Sequence, residues 1–174
     1  MTEHKLVIRD GAPIFLVGFM GSGKTEAGRE LARLLEYSFL DLDVMIEERA
    51  GRPVREIFAQ LGEQEFRRLE TEAIRSLAGL TRSVVALGGG AYQSEKNRAL
   101  LRAAGVAVWL DCAFDTCFER VKGDPDRPLL TSRTETRNLF DQRRAAYGAA
   151  DFAIETGALS AEQVAADIIG KLTS

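Results

Sequence analysis

Histidine is almost absent from this chain of 174 residues, and the single one is His4, close to the N-terminus. A Ser-His-Asp triad, a Cys-His nucleophile pair and a histidine-rich zinc site all need imidazoles inside the folded domain. Because we expect His4 to lie in an N-terminal tail, we expect none of these sites. Catalysis is left to carboxylates, lysine, arginine, backbone amides and a metal held by oxygen ligands. Phosphoryl transfer can run on those parts alone.

Other absences narrow the class of protein further. The two cysteines, Cys112 and Cys117, form no C-x-x-C pair and are too few for a disulfide framework, which is typical of reduced thiols in the cytoplasm. No apolar run is long enough to cross a membrane, and the polar start is unlike a secretory signal. The net charge of −3 gives no broad basic field for nucleic acid. We therefore expect one cytoplasmic domain that binds neither membranes nor nucleic acid.

A phosphate-binding loop is the strongest motif that is present. Residues 18–25 (GFMGSGKT) fit G-x-x-x-x-G-K-[ST], with an apolar run before them and a helix-forming stretch after them. The glycines let backbone N–H groups converge on phosphate oxygens, and the helix N-terminus adds positive potential. Lys24 is expected to reach the outer phosphates of ATP, and Thr25 is expected to offer a hydroxyl to Mg²⁺. The predicted nucleotide-binding residues here are Gly21, Ser22, Gly23, Lys24 and Thr25.

Alternation of apolar runs with helical patterns predicts the fold. Short runs at 14–17, 39–42, 84–87, 106–110 and 152–154 are typical of strands buried on both faces. Helical patterns between and after them predict a parallel sheet with helices on both sides, an α/β fold of three layers. The predicted helices are 24–36, 54–61, 63–80, 94–104, 114–122, 135–147 and 161–172. Residues 1–13 are expected to be a tail, with 5–9 as a possible extra strand.

Motifs outside the phosphate-binding loop distinguish the classes of P-loop protein. The N-K-x-D motif of GTPase switches is absent from the sequence, which counts against a GTPase. The L-S-G-G-Q stretch of transporter ATPases is also absent, which counts against that class. A strand ending in an acidic residue, as in a Walker B motif, occurs only near Leu110-Asp111. A helical insertion, 43–80, follows the second strand and favours a small-molecule or nucleotide kinase with a substrate-binding region and a lid.

Several motifs in a fixed order now carry a resemblance to the shikimate kinase family. The segments are GFMGSGKT at 18–25, DLD at 41–43, GRPVREIFAQLGEQEFRRLE at 51–70, GGG at 88–90 and RPL at 127–129, with Arg143 four residues before Tyr147. The resemblance covers 14 to about 151. It implies an ATP- and Mg²⁺-dependent kinase of shikimate in aromatic amino acid biosynthesis. It also implies the fold of nucleoside monophosphate kinases, with five parallel strands in the order 2-3-1-4-5. We expect a monomer.

The same resemblance assigns the two carboxylates of the DLD segment. Asp41 is assigned to the Mg²⁺ shell. Asp43 is assigned to the hydroxyls of the substrate, either to orient the reacting one or to act as its general base. Their place at the carboxyl end of a strand is where open α/β sheets bind ligands. The alternative from the residues alone is that Asp43 caps the helix that follows it.

Arginines supply the cations for a carboxylate substrate. The resemblance places Arg67 and Arg143 on the substrate carboxylate, which a guanidinium can bind with two parallel hydrogen bonds. Glu70 is expected to orient Arg67, whereas the alternative is an exposed ion pair of Arg67 with Glu63 or Glu70. Arg144 is the fallback for Arg143, because Ala145-Ala146 stands where the family commonly has Pro-Leu and the spacing from Tyr147 to Asp151 is one residue short of the usual.

Glycines, aromatic rings and a lid complete the predicted site. Gly88, Gly89 and Gly90 are expected to form a wall of the shikimate site, with a plain tight turn as the alternative. The side chains of Phe58 and Phe66 are expected either to pack in the core or to line the pocket. The segment 123–133 is predicted to be a lid. It carries Arg127 toward the transferring phosphoryl group, and Arg120 is assigned to the adenine ring.

Two other functions fit parts of this pattern. A P-loop kinase for another small hydroxylated acid, such as gluconate, would also use arginines for a carboxylate. A catalytically silent nucleotide-binding regulator would keep the fold but not need Lys24, Thr25, Asp41 and Asp43 together. The ordered set of Asp43, Arg67 and the triple glycine favours shikimate.

Overall fold

The computed structural model describes residues 11–125 and 132–173, which form five strands and seven α-helices. A single turn of 3₁₀ helix, Ala91–Gln93, follows the third strand. Within these residues no helix is both long and apolar enough to span a membrane. The elements in chain order are β1 (Ile14–Val17), α1 (Lys24–Leu35), β2 (Ser38–Asp41), α2 (Leu42–Ala50), α3 (Val54–Arg75), β3 (Ser83–Ala86), α4 (Glu95–Ala104), β4 (Val106–Asp111), α5 (Phe114–Val121), α6 (Arg133–Tyr147), β5 (Phe152–Glu155) and α7 (Ala161–Leu172).

The strands form one parallel sheet in the order β2-β3-β1-β4-β5, which confirms the predicted fold and strand order. The central strand β1 pairs with β3 on one side and with β4 on the other. All four of its residues are buried, because helices cover both faces of the sheet. That double coverage is why the strands are continuous apolar runs in the sequence.

Two hydrophobic clusters lie on opposite faces of the sheet. Phe15 and Val17 point to the larger cluster, which includes residues of α2, α3, α4, α5 and α6. Ile14 and Leu16 point to the smaller cluster, which includes residues of α1 and α7. Alternate residues of β1 therefore anchor the two helical layers, as the period of two in a strand requires.

Local sequence signals explain most helix ends, and one helix was not predicted. Helix α6 begins two residues before the predicted start, because Ser132 and Glu135 form a capping box. Helix α3 joins the two predicted helices of the insertion, with a break at Gly62, where φ is 85° and ψ is 167°, and it ends at Arg75, five residues before the predicted end at 80. Helix α2 was not among the predicted helices, although it follows β2 directly.

The topology gathers the predicted site at one edge of the sheet. The carboxyl ends of parallel strands all meet there, and the segments after β1, β2, β3 and β4 contain the predicted site residues of the described chain. At the opposite edge, the carbonyls of Gly11 and Pro13 accept hydrogen bonds from the N–H groups of Arg82 (2.7 Å) and Val106 (3.0 Å). The end of the predicted tail thus lies against the sheet, while residues 1–10 fall outside the described residues.

Candidate active site

A cavity of about 680 Å³ opens at the carboxyl edge of the sheet. The phosphate-binding loop forms its floor, and the segments after β2, β3, β4 and β5 form its walls. It brings together the predicted residues Gly21, Ser22, Gly23, Lys24, Thr25, Asp41, Asp43, Gly88, Gly89 and Arg120.

The loop between β1 and α1 has the backbone that a phosphate cradle needs. Gly21 and Gly23 have φ values of 77° and 90°, in the left-handed region that favours glycine. A Cβ atom on Gly21 would lie 2.6 Å from the carbonyl oxygen of Cys117 in α5, so glycine is also required by packing. Lys24 begins α1, and its Nζ donates to the carbonyls of Gly18 (2.8 Å) and Phe19 (2.9 Å). The ammonium group is therefore already held over the loop.

One wall of this cavity is formed by α5 and by the connection between β5 and α7. Nη1 of Arg120 in α5 donates to the carbonyl of Gly21 at 2.9 Å, which places the guanidinium beside the phosphate-binding loop. Four residues of the β5–α7 connection and of α7 line the same cavity and were missed in the sequence: Thr156, Leu159, Ala161 and Val164. The signal that points to them is their place just after the carboxyl end of a parallel strand.

Asp41 caps α2, which corrects the alternative considered for Asp43. Oδ1 of Asp41 accepts from the N–H groups of Asp43 (2.9 Å) and Val44 (3.4 Å), and Asp43 lies in the first turn of the helix. Both capping bonds use Oδ1 of Asp41, and this carboxylate lines the cavity together with Thr25. Oxygen donors of this kind suit Mg²⁺. The described residues contain no group of three or more acidic, cysteine or histidine side chains that could hold a metal.

The triple glycine after β3 is the point where the predicted substrate residues meet. A Cβ on Gly88 would lie 2.9 Å from Oδ1 of Asp43, and one on Gly89 would lie 3.0 Å from Nη1 of Arg143. A Cβ on Gly90 would lie 2.5 Å from Nη1 of Arg67. Each glycine thus lets a different side chain approach the backbone, from α2, α6 and α3 respectively.

Arg67 is held by two carboxylates of its own helix. Its Nη1 donates to Oε1 and Oε2 of Glu70 at 3.0 and 3.1 Å, and its Nη2 donates to Oε1 of Glu63 at 3.3 Å. Glu70 is only 1% exposed, so its pair with Arg67 is not a solvated surface pair, whereas the pair with the exposed Glu63 matches the alternative considered. Burial raises the pKa of Glu70, against the opposing effect of Arg67. The buried carboxylate therefore fixes the guanidinium over Gly90.

Arg143 is the arginine of α6 that faces the glycine segment. Its side chain is buried, and its guanidinium carbon lies 5.8 Å from the ring centre of Phe19. Burial lowers the pKa of Arg143, although a guanidinium stays charged in proteins. The hydroxyl of Tyr147 donates to the carbonyl of Gly89 at 2.5 Å and ties the same helix to the segment. Arg144 instead pairs with Asp111 at the end of β4, so the geometry favours Arg143 over the fallback.

A second cavity of about 440 Å³ adjoins the first at the glycine segment. Gly88 and Gly89 line the first cavity, whereas Gly90, Arg67 and Arg143 line the second. Phe58 and Phe66 line neither cavity. Their ring centres lie 4.6 Å apart, and Phe66 is buried, so packing is their role in this structure. Arg127 lies outside the described residues.

Comparison with known proteins shows the family of this chain. A family model described as shikimate kinase matches residues 20–173. The chain belongs to the shikimate kinase family. The prediction of an ATP-dependent kinase of this family is therefore confirmed.

Individual relatives agree with this membership. Shikimate kinase of Geobacter sulfurreducens is 49% identical over 162 residues, which is 91% of this chain and 90% of the relative. The solved structure of shikimate kinase from Acinetobacter baumannii in complex with shikimate matches with a TM-score of 0.90 and 36% identity, covering 93% of both chains. A gluconokinase structure from Sinorhizobium meliloti matches with a TM-score of 0.63 at 18% identity, covering 95% of this chain and 93% of its own, and shares the fold alone.

Proposed function

We propose that this chain transfers the γ-phosphoryl group of ATP to the 3-hydroxyl of shikimate, giving shikimate 3-phosphate and ADP in aromatic amino acid biosynthesis. The observation that carries the proposal is the meeting of Asp43, Arg143 and Arg67 on three consecutive glycines. A carboxylate that can hold a hydroxyl and two cations that can hold a carboxylate are thus presented on one short stretch of backbone.

The spacing of these groups suits a small cyclic hydroxy acid. The glycine segment is a turn, in which the N–H of Ala91 donates to the carbonyl of Gly88 at 3.0 Å, so Asp43 at Gly88 and Arg67 at Gly90 are brought close enough for one small molecule to contact both. A six-membered ring that carries a carboxylate on C1 and the reacting hydroxyl on C3 can reach both. Arg67 and Arg143 would clamp the carboxylate, because a guanidinium binds a carboxylate through two parallel hydrogen bonds. Asp43 would then orient the hydroxyl for in-line attack or accept its proton.

The phosphates of ATP would be bound by the loop before α1. Its N–H groups and Lys24 would neutralise the charge on the β- and γ-phosphates. Mg²⁺ would supply further charge neutralisation when bound, with Thr25 and Asp41 as its protein ligands, directly or through water. Arg120 would pack against the adenine ring, beside Leu159 and Val164.

Several assignments in this proposal stay predictions from the sequence. They are the lid at 123–133 with Arg127 as its catalytic cation, the substrate-binding insertion at 43–80, the monomeric state and the cytoplasmic location. Arg127 would act on the transferring phosphoryl group when the lid closes.

Steady-state release of ADP with a panel of hydroxy acids tests the substrate. We expect turnover with shikimate and MgATP and little with gluconate, because gluconate is an open chain that does not present its groups in fixed positions. Turnover on gluconate and none on shikimate would contradict the proposal and favour a gluconate kinase. No turnover on any acid, with nucleotide binding intact, would favour the silent regulator.

Two arginine variants test the carboxylate clamp within the same assay. Arg67→Ala and Arg143→Ala should each raise the KM for shikimate by about 10- to 150-fold, the equivalent of losing about 1.5–3 kcal/mol of charged hydrogen bonding. The KM for ATP should change little. Arg68→Ala is the matched control, because Arg68 neighbours Arg67 on α3 but forms exposed ion pairs with Glu65 and Glu72. Equal effects of Arg67→Ala and Arg68→Ala would contradict the clamp.

A further inference from the structure

Asp111 and Arg144 form an ion pair that joins the sheet to helix α6. Nη1 and Nη2 of Arg144 donate to Oδ1 and Oδ2 of Asp111 at 2.8 and 2.9 Å, two parallel bonds between fork-shaped groups. Asp111 is the last residue of β4, and Arg144 lies in the last turn of α6. The sequence offered Asp111 as the nearest match to a Walker B carboxylate, but its side chain is engaged with an arginine.

The geometry of the pair is more restricted than that of an ordinary surface pair. The guanidinium carbon of Arg144 lies 5.0 Å from the ring centre of Trp109 and 5.9 Å from that of Phe140. A guanidinium at this distance from aromatic rings gains cation–π attraction. The anchor on the strand is itself fixed, because the carbonyl of Asp111 accepts the N–H of Thr156 at 3.0 Å.

Fixing Arg144 fixes the direction of its neighbour. With 3.6 residues per turn, adjacent side chains of a helix point about 100° apart. Arg144 is held on the end of β4, so Arg143 must point to a different side, and in this structure that side is the glycine segment, at Gly89. A rotation of α6 about its axis would break the pair with Asp111 and move Arg143 off Gly89 together.

We propose that Asp111 and Arg144 are a positioning pair that sets the rotation of α6 and so presents Arg143 to the carboxylate of the substrate. This inference rests on the proposed function, in which Arg143 binds that carboxylate. The pair touches neither substrate nor nucleotide in this role. Its effect is on the affinity for the acid, and the chemistry of the phosphates is left to the loop before α1.

A double-mutant cycle on Asp111→Ala and Arg144→Ala tests the pair. Each single variant should raise the KM for shikimate by about 5- to 20-fold, because a displacement of about 1 Å in a binding group can cost up to about 100-fold. The double variant should be no worse than the poorer single one, since the two residues act as a unit. The kcat and the KM for ATP should stay within about threefold of the wild-type values, since the phosphate groups are untouched.

Two further variants separate positioning from general stability. Arg144→Lys keeps the charge but loses the two-pronged geometry, so its KM for shikimate should fall between those of wild type and Arg144→Ala. Arg137→Ala is the matched control. Arg137 lies on the same helix and pairs with Asp141 at 3.1 Å, without a contact to the sheet end. Its KM for shikimate should match that of the wild type.

The outcomes distinguish this inference from the function on which it rests. A raised KM in Arg143→Ala with an unchanged KM in Arg144→Ala would overturn the positioning pair and keep the clamp. An unchanged KM in Arg143→Ala would overturn both. A lower melting temperature in Arg144→Ala without a change in KM would show a purely structural pair and also overturn the proposal. If Arg144→Ala does not fold, Asp111→Asn and Arg144→Lys give the same test with smaller changes in shape.

Discussion

The phosphate-binding loop and the predicted acid site lie at the same edge of the sheet but are built in opposite ways. The loop is a single stretch, 18–25, whose working groups are its own N–H donors and Lys24. The acid site takes Asp43 from α2, Arg67 from α3 and Arg143 from α6 and brings them to the glycines after β3. A site made of consecutive residues needs only the right backbone. A site made of distant residues needs the whole fold.

The two regions also differ in how they hold charge. Lys24 is held by carbonyl groups of its own loop, which phosphate oxygens can replace. Arg67 and Arg143 belong to a half-buried cluster that includes the buried carboxylate Glu70. Removing solvent from several charges is costly unless they compensate one another. The acid site should therefore respond to small changes in packing that leave the phosphate loop unaffected.

The largest effect is expected at the loop, from Lys24→Ala. Turnover should fall by about 100- to 1000-fold, the usual cost of removing one group that stabilises charge in a transition state. The melting temperature should hardly change, because no core contact is lost. Kinetics and thermal unfolding should be measured together, with Lys171→Ala on α7 as the control. A folded Lys24→Ala variant with near-normal turnover would contradict the assignment of the loop.

Asp43→Asn should have the next largest effect and should separate the two regions. If Asp43 orients or deprotonates the hydroxyl, turnover should fall by about 100-fold or more while MgATP still binds. Asn cannot act here as a replacement cap, since Asp41 is the residue that caps α2. Steady-state turnover and MgATP titration of the same variant give the answer. Asp41→Asn, compared in parallel, should keep the cap and instead weaken MgATP binding.

Gly90→Ala is a smaller change that should affect the acid site alone. The backbone at Gly90 is ordinary, with φ −96° and ψ −11°, so alanine is allowed there. Its Cβ would lie 2.5 Å from Nη1 of Arg67, which has to move. Because Arg67 is held by the buried Glu70, its displacement should cost about 1–3 kcal/mol of stability. We also expect a rise of about 10-fold in the KM for shikimate, the equivalent of about 1–2 kcal/mol. Titration of shikimate and of ATP measures the two affinities separately.

Gly170→Ala is the control for that variant, since a Cβ there meets nothing within 4 Å. A Gly90→Ala enzyme with wild-type affinity for both substrates would mean that the position of Arg67 over Gly90 does not matter.

The smallest effect is expected in the pH dependence of stability. Burial raises the pKa of Glu70 above its ordinary value of 4.5, so the folded state holds this proton more tightly than the unfolded chain. The stability that this group contributes is present at pH below 4.5 and is lost as pH rises through the folded value. Relative to Glu70→Gln, the wild type should therefore lose free energy of unfolding with rising pH, by at most about 1.4 kcal/mol per pH unit.

Urea unfolding of both proteins across that pH range measures the difference. The exposed Glu72→Gln on the same helix is the control and should run parallel to the wild type. If the free energy of unfolding has the same pH dependence in the wild type and in Glu70→Gln, the pKa of Glu70 is not raised by folding.

Most of the sheet could be predicted from the sequence, because buried parallel strands are short apolar runs. Strand β1 and helix α7 have the predicted ends, and most others differ by one or two residues. Helix α2 escaped prediction because it has no clear apolar stripe and only two buried residues, Leu42 and Ile46. The alternative considered for Asp43 was a cap on the helix that follows it, and Asp41, two residues earlier, provides that cap.

The sequence by itself determined the phosphate-binding loop and the strand–helix alternation, since both follow from neighbouring residues. Only the tertiary structure decided which arginine of the Arg143-Arg144 pair faces the glycines. Arg144 instead pairs with Asp111, which is 33 residues away along the chain. The structure alone also placed Glu70 in a buried site and added the β5–α7 connection to the cavity above the phosphate-binding loop. Contacts between distant segments depend on the packing of helices on the sheet, and no local pattern in the chain encodes them.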